Sequence, residues 1–100
     1  MKTRLVASVI ALLIAATFAG CVGTQMNMQR ENLLRRGYPA EYADGYGDGY
    51  GSGLSAAGNP YAQTTKNVTR YLEDQKYKTG WDDGFQAGKG SYEATSRALR

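Results

Sequence analysis

A glycine recurs every four residues in two stretches of this chain, and no other feature narrows its folding options so far. Residues 42–53 read Tyr-Ala-Asp-Gly-Tyr-Gly-Asp-Gly-Tyr-Gly-Ser-Gly, and residues 77–88 read Tyr-Lys-Thr-Gly-Trp-Asp-Asp-Gly-Phe-Gln-Ala-Gly. They share the pattern Tyr-x-x-Gly-aromatic-x-Asp-Gly-aromatic-x-x-Gly at an offset of 35 residues. One structural unit used twice accounts for this, because two copies are too few for a solenoid, where about three are needed. A period of four is that of one helix face, whereas strands repeat at two. On helices, Gly45, Gly49 and Gly53 form one groove and Gly80, Gly84 and Gly88 another. Tyr42, Tyr46 and Tyr50 then make an aromatic ridge, matched by Tyr77, Trp81 and Phe85, with Asp44 and Asp48 on the other flank. The competing conformation is a turn array, since Asp-Gly and Gly-x-Gly are turn signals.

Helix has a cost here, because each interior glycine is about 1 kcal/mol worse than alanine. The punctuation nevertheless favours it. Pro39 suits a first-turn position and Glu41 an acidic N-terminus. Gly58 is placed to end the first helix, and Asn59-Pro60 reads as the start of a second, over about Pro60–Leu72. Asp74 caps a third, over about Gln75–Leu99, with Lys89, Arg97 and Arg100 in its later half. The expected fold is therefore all-α: a small three-helix domain over residues 38–100, with close packing at glycine faces. Absent side chains let two backbones approach, as small-x-x-x-small faces do between membrane helices. The aspartates rule out membrane helices here. Leu54, Val68, Tyr71 and Leu72 are expected to fill the core beneath the middle helix, and Ser52 to tolerate alanine. Residues 22–37 read as a polar tether with at most a helical turn or two, and Arg30, Arg35 and Arg36 as candidates for anionic lipid head groups.

The start of the chain is of another kind. Lys2 and Arg4 precede an uncharged, mostly apolar run from Leu5 to Phe18. A positive start, a short apolar run and small residues before a cut site describe an export signal, and the run falls short of the about 20 residues a membrane span needs. It closes on Phe18-Ala19-Gly20-Cys21, which resembles the lipobox of bacterial lipoproteins and holds the only cysteine of the chain. The resemblance implies that residues 1–20 are a signal peptide and that Cys21 carries the lipid: a diacylglycerol on sulfur and an acyl group such as palmitate on the new amino terminus. Val22, where an Asp would resemble an inner-membrane retention signal, implies the outer membrane, facing the periplasm. The other reading of the segment is an ordinary secretory signal cut near Ala19. The repeat behind a lipobox is also similar to that of small uncharacterised Gly-Asp-rich lipoproteins of the bacterial envelope, which implies no activity.

Without residues 1–20, ten basic residues face nine acidic ones. That near balance gives no basic stripe for nucleic acid. Catalysis lacks its usual parts, with no histidine and no second cysteine, and Ser55 and Ser91 have no identifiable activating base. The adjacent pairs Asp82-Asp83 and Glu73-Asp74 point apart on a helix. Neither an EF-hand nor a nine-residue calcium repeat is present, so neither a metal nor a cofactor is expected. The expected function is that of a non-enzymatic, lipid-anchored envelope protein that supports or binds another envelope protein. The alternative is a module binding glycan, peptidoglycan or calcium through the aromatic and acidic stripes. Tyr46, Tyr50, Trp81 and Phe85 are the candidate partner surface, although the same rings would serve equally as core. Tyr38, Tyr61 and Tyr92, outside the repeats, are better placed for exposure.

Overall fold

The computed structural model describes residues 22–99. The expected signal peptide (residues 1–20), Cys21 and Arg100 lie outside the described residues. Among the described residues four helices follow in order: α1 over residues 22–35, α2 over Ala40–Ala56, α3 over Val68–Glu73 and α4 over Gln75–Ala98. The domain is all-helical, as the glycine period implies, and α2 and α4 form its centre.

These two helices touch backbone to backbone. A Cβ added to Gly45, Gly49 or Gly53 would overlap the carbonyl oxygen of Tyr77, Trp81 or Phe85 in turn, far inside the 3.0 Å that real Cβ atoms respect. The relation is reciprocal, since Cβ atoms on Gly80, Gly84 and Gly88 would overlap the carbonyl oxygens of Tyr42, Tyr46 and Tyr50. Each oxygen thus sits where one glycine Hα points. That is the arrangement of a Cα–H···O contact, about 0.5–1 kcal/mol each. Six such contacts offset much of the helix-propensity cost of the six glycines. Partner numbers rise together along both helices, so α2 and α4 run parallel. Shifting one partner by +35 and the other by −35 turns each contact into another of the set. The two sequence copies are therefore related by a local twofold axis running along the helices.

A parallel pair requires a connection that returns the chain to its starting end. Gly58 turns it, at φ 106°, in a Schellman arrangement with Gly58 N–H on Ser55 O and Asn59 N–H on Leu54 O. Here the structure departs from the expected second helix. The Asn59 side chain accepts from the Tyr61 N–H, making a turn, and residues 62–67 carry no helix. Thr64, Thr65 and Asn67 are poor helix formers, and extended chain offers its N–H and C=O groups to both helices, which a helix would sequester. Asn67, whose side chain accepts from Arg70 N–H, starts α3 only at Val68. No residue of α3 is buried. Val68 and Leu72 face solvent at 60% and 78% exposure, against the expectation that they fill the core. Arg70 and Tyr71 face inward instead, towards Asp44 and Asp82. Asp74 caps α4 as expected, accepting from the N–H groups of Lys76 and Tyr77.

The expected tether also needs correction, because residues 22–35 are helical and packed on α2. Val22 and Leu33 are buried, and Val22 clusters with Tyr50, Leu54 and Ala62. Val22 lies near Leu54 while Arg30 reaches Asp44 at 2.6 Å, so α1 runs antiparallel to α2. Gly47 and Gly51, on the side of α2 away from α4, receive it: a Cβ at Gly51 would meet the Met26 side chain, and one at Gly47 would lie 3.4 Å from Met26 O. Gly37, at φ 85°, closes α1 with Tyr38 N–H on Leu33 O.

The two glycine classes should respond oppositely to alanine. Gly49→Ala and Gly84→Ala push backbones apart and should each lower stability by about 2 kcal/mol or more. Gly47→Ala and Gly90→Ala meet no backbone closer than ordinary contact and should each add up to about 1 kcal/mol of helix propensity. Thermal melts of the four variants check this, and equal losses in all four would sink the close-packing account.

Candidate functional site

The repeat's tyrosine and aspartate find each other across copies. The Tyr42 hydroxyl donates to Asp83 at 2.7 Å, and the Tyr77 hydroxyl to Asp48 at 2.6 Å. These are the same bond in the two halves. Burial first, and then its bond to the Asp48 carboxylate, pushes the Tyr77 phenol up to about 12. Tyr42 is shifted upward by burial and by Asp83. Tyr71 is raised mainly by its 2.7 Å bond to Asp82.

The twofold creates two grooves along the α2–α4 pair. The connector fills the first. Ser52, fully buried, accepts from the Thr65 N–H at 2.8 Å, and its hydroxyl lies 2.9 Å from Thr65 O and 2.8 Å from Asp48 O. The Trp81 indole N–H also donates to Thr65 O, at 2.8 Å, and the Tyr77 hydroxyl accepts from the Asn67 N–H at 3.0 Å. Lys66 places its ammonium 3.9 Å from the ring centres of both Tyr71 and Trp81, a cation–π arrangement. Trp81 stacks on Phe85 at 5.1 Å and meets Tyr71 edge-on. Ser52, expected to tolerate alanine, is thus the anchor of the connector.

The second groove holds the tyrosine ladder. Tyr38, Tyr42, Tyr46 and Tyr50 follow one another at 5.3, 6.1 and 6.4 Å between ring centres, with Arg36 over Tyr38. The four candidate surface rings therefore do not share a face. Tyr46 and Tyr50 lie in one groove and Trp81 and Phe85 in the other, since the local twofold exchanges the two sets. Tyr50 and Trp81 are each 8% exposed and belong to the interior, whereas Tyr46 and Phe85 are half-buried. Tyr38 and Tyr61 are exposed as expected, but Tyr92 packs against the Leu54 cluster.

Each aspartate of the repeats is engaged. Asp44 holds Arg30 and, at 3.5 Å, Arg70; Asp82 and Asp83 hold Tyr71 and Tyr42. Among the described residues no three acidic or other ligand side chains come together for a metal ion. Arg30, a candidate for lipid head groups in the sequence, is half-exposed and pairs with Asp44 at 2.6 Å. Sequence reasoning missed Ser52, the Thr65–Asn67 segment and the Arg30–Asp44–Arg70 bridge. A second glycine stripe at Gly47 and Gly51, together with Val22, Met26 and Leu33 on one helical face, was the available signal for α1.

Two outcomes follow. Ser52→Ala strands the Thr65 N–H and should cost about 1–3 kcal/mol in denaturant unfolding. A tyrosine whose folded pKa is raised contributes stability that is complete below its unfolded value near 10 and is lost as pH climbs through the folded value. The melting temperature should therefore fall between about pH 10 and 12, and Tyr77→Phe should be less stable at neutral pH yet fall less steeply in that window. Identical alkaline slopes would remove Tyr77 from the account.

Compared with protein-family models, with curated proteins and with solved structures, the chain matches none.

Proposed function

We propose that this chain is a lipid-anchored protein of the bacterial envelope, held through Cys21 in the outer membrane on its periplasmic side, and that it works by contact with another envelope protein rather than by catalysis. The observation that carries the reading is that the packed domain already includes Val22. Val22 is buried against Leu54 and Ala62, so a lipid on its neighbour Cys21 would hold the domain itself at the bilayer, without a spacer. Acyl chains contribute about 0.8 kcal/mol per buried methylene, and two or more make a stable anchor. A cleft of about 350 Å³ opens at this end, between Val22, Leu54, Tyr61 and Tyr92. The aspartates and the buried tyrosine hydroxyl are spent on cross-helix bonds, which suits a rigid scaffold.

Metabolic labelling with an alkyne analogue of palmitate tests the anchor. Wild type should be labelled and fractionate with outer membranes, while Cys21→Ser should be unlabelled and leave the membrane. An unlabelled wild type would refute the anchor, as would membrane retention of the serine variant.

A further inference from the structure

We propose that the apolar cleft between α1 and α4 is the seat of a fatty acyl chain, the amide-linked chain of the lipid on Cys21. The proposal rests on the anchor given above and assigns one chain of that lipid to the protein rather than to the bilayer.

The cleft encloses about 350 Å³ and is lined mostly by apolar surface. Val22 forms its wall on α1, Tyr92 and Thr95 its wall on α4, and Leu54 and Tyr61 complete the lining. A cavity of about 150 Å³ takes up benzene, so a cleft of this size holds roughly a dozen carbon atoms, most of a palmitoyl chain. Its position selects the occupant. Cys21 directly precedes Val22, and consecutive Cα atoms are about 3.8 Å apart, so a chain on the Cys21 nitrogen begins beside a wall of the cleft. Direction agrees. Helix α1 is antiparallel to α2 and hence to α4, so the chain leaving Val22 for Cys21 heads towards the C-terminal end of α4. There Leu99 follows Tyr92 and Thr95 on one helix face and is 83% exposed. That face extends the cleft towards the side from which the lipid comes.

Chemistry separates the three chains of such a lipid. The two on the thioether share one glycerol and enter the bilayer together, and two chains make a stable anchor. The third hangs alone on the nitrogen and is free to turn back. In the bilayer it removes only its own methylenes from water, whereas in the cleft it also covers the exposed apolar lining. Attachment in cis gives it an effective concentration of about millimolar or more, an advantage over any chain supplied from elsewhere. A seated chain also ties the anchor to the folded part, so that the domain does not swivel on its lipid.

The test uses the full chain, made in cells fed a palmitate analogue with a diazirine at mid-chain and a terminal alkyne, and irradiated in their membranes. Trypsin cuts after Arg30, Lys89 and Arg97, which separates residues 21–30 from residues 90–97, the segment carrying Ser91, Tyr92 and Thr95. The expected product joins these two peptides through the acyl chain and survives mild alkali, which cleaves esters and spares the amide. Thr95→Trp and Ser91→Trp each put an indole into the cleft and should cut that product about tenfold, a loss of about 1.4 kcal/mol in occupancy. Both positions are exposed, so the variants should keep cooperative melts. Ala94→Trp, on another side of α4, should leave the product unchanged. The proposal is overturned if the label on Cys21 crosslinks only to phospholipid, or if the joined peptides separate in alkali, which marks an ester-linked chain of the diacylglycerol. It is overturned too if the joined peptides come from isotopically heavy and light copies, which seats the chain in a second molecule, or if both tryptophan variants keep the wild-type yield. A labelled Cys21 without the product refutes the cleft alone; an unlabelled wild type refutes the anchor, and the occupant with it.

Discussion

Everything in this domain depends on carbonyl oxygens occupying the space that side chains would otherwise fill. At six positions along α2 and α4 an oxygen of one helix lies against a glycine Hα of the other. Such contacts are weak one by one, yet they set the helix separation, and the separation sets the reach of every side chain at the seam. Only at this distance does Tyr42 touch Asp83 and Tyr77 touch Asp48. The aromatic rings then supply the burial that a chain poor in aliphatic residues lacks, through stacks and an edge-on pair of the kind that contribute about 0.5–1.5 kcal/mol beyond area.

The twofold is kept in the seam and broken around it. Both halves preserve glycine, tyrosine and aspartate at equivalent places. The surroundings diverge: α1 packs on the far face of α2 through Gly47 and Gly51, and the connector with α3 closes one groove. The exchange of Ser52 for Ala87 records the divergence at a single position. The serine binds the backbone of the returning chain, and the alanine has none to bind.

The seam was legible in the sequence because it rests on a rule of spacing: a period of four with no side chain leaves little but helix-on-helix contact. Helix ends at Gly58 and Asp74 were legible for the same local reason. The direction of pairing was not, because a glycine face serves parallel and antiparallel partners alike. Asn59-Pro60 reads equally as a helix start or as a turn, and the choice was made by the distant hydroxyl of Ser52 and the indole of Trp81, which need extended backbone to bind. The polar look of residues 22–37 hid α1, whose attachment uses few apolar side chains and relies on absent ones in α2. The split of the aromatic rings between two grooves follows from the parallel twofold, so it could not be read before that was known.

Parallel pairing also fixes the order of events as the chain is made. Helix α2 carries five glycines in 17 residues, and a short helix so composed does not persist alone in water. Its stabilising surface lies about 35 residues downstream and becomes complete only with Gly88. Contacts so far apart in sequence are late and mutually dependent. Until α4 emerges, α2 has only α1 to fold against, and the glycine seam cannot close before Gly88 is made.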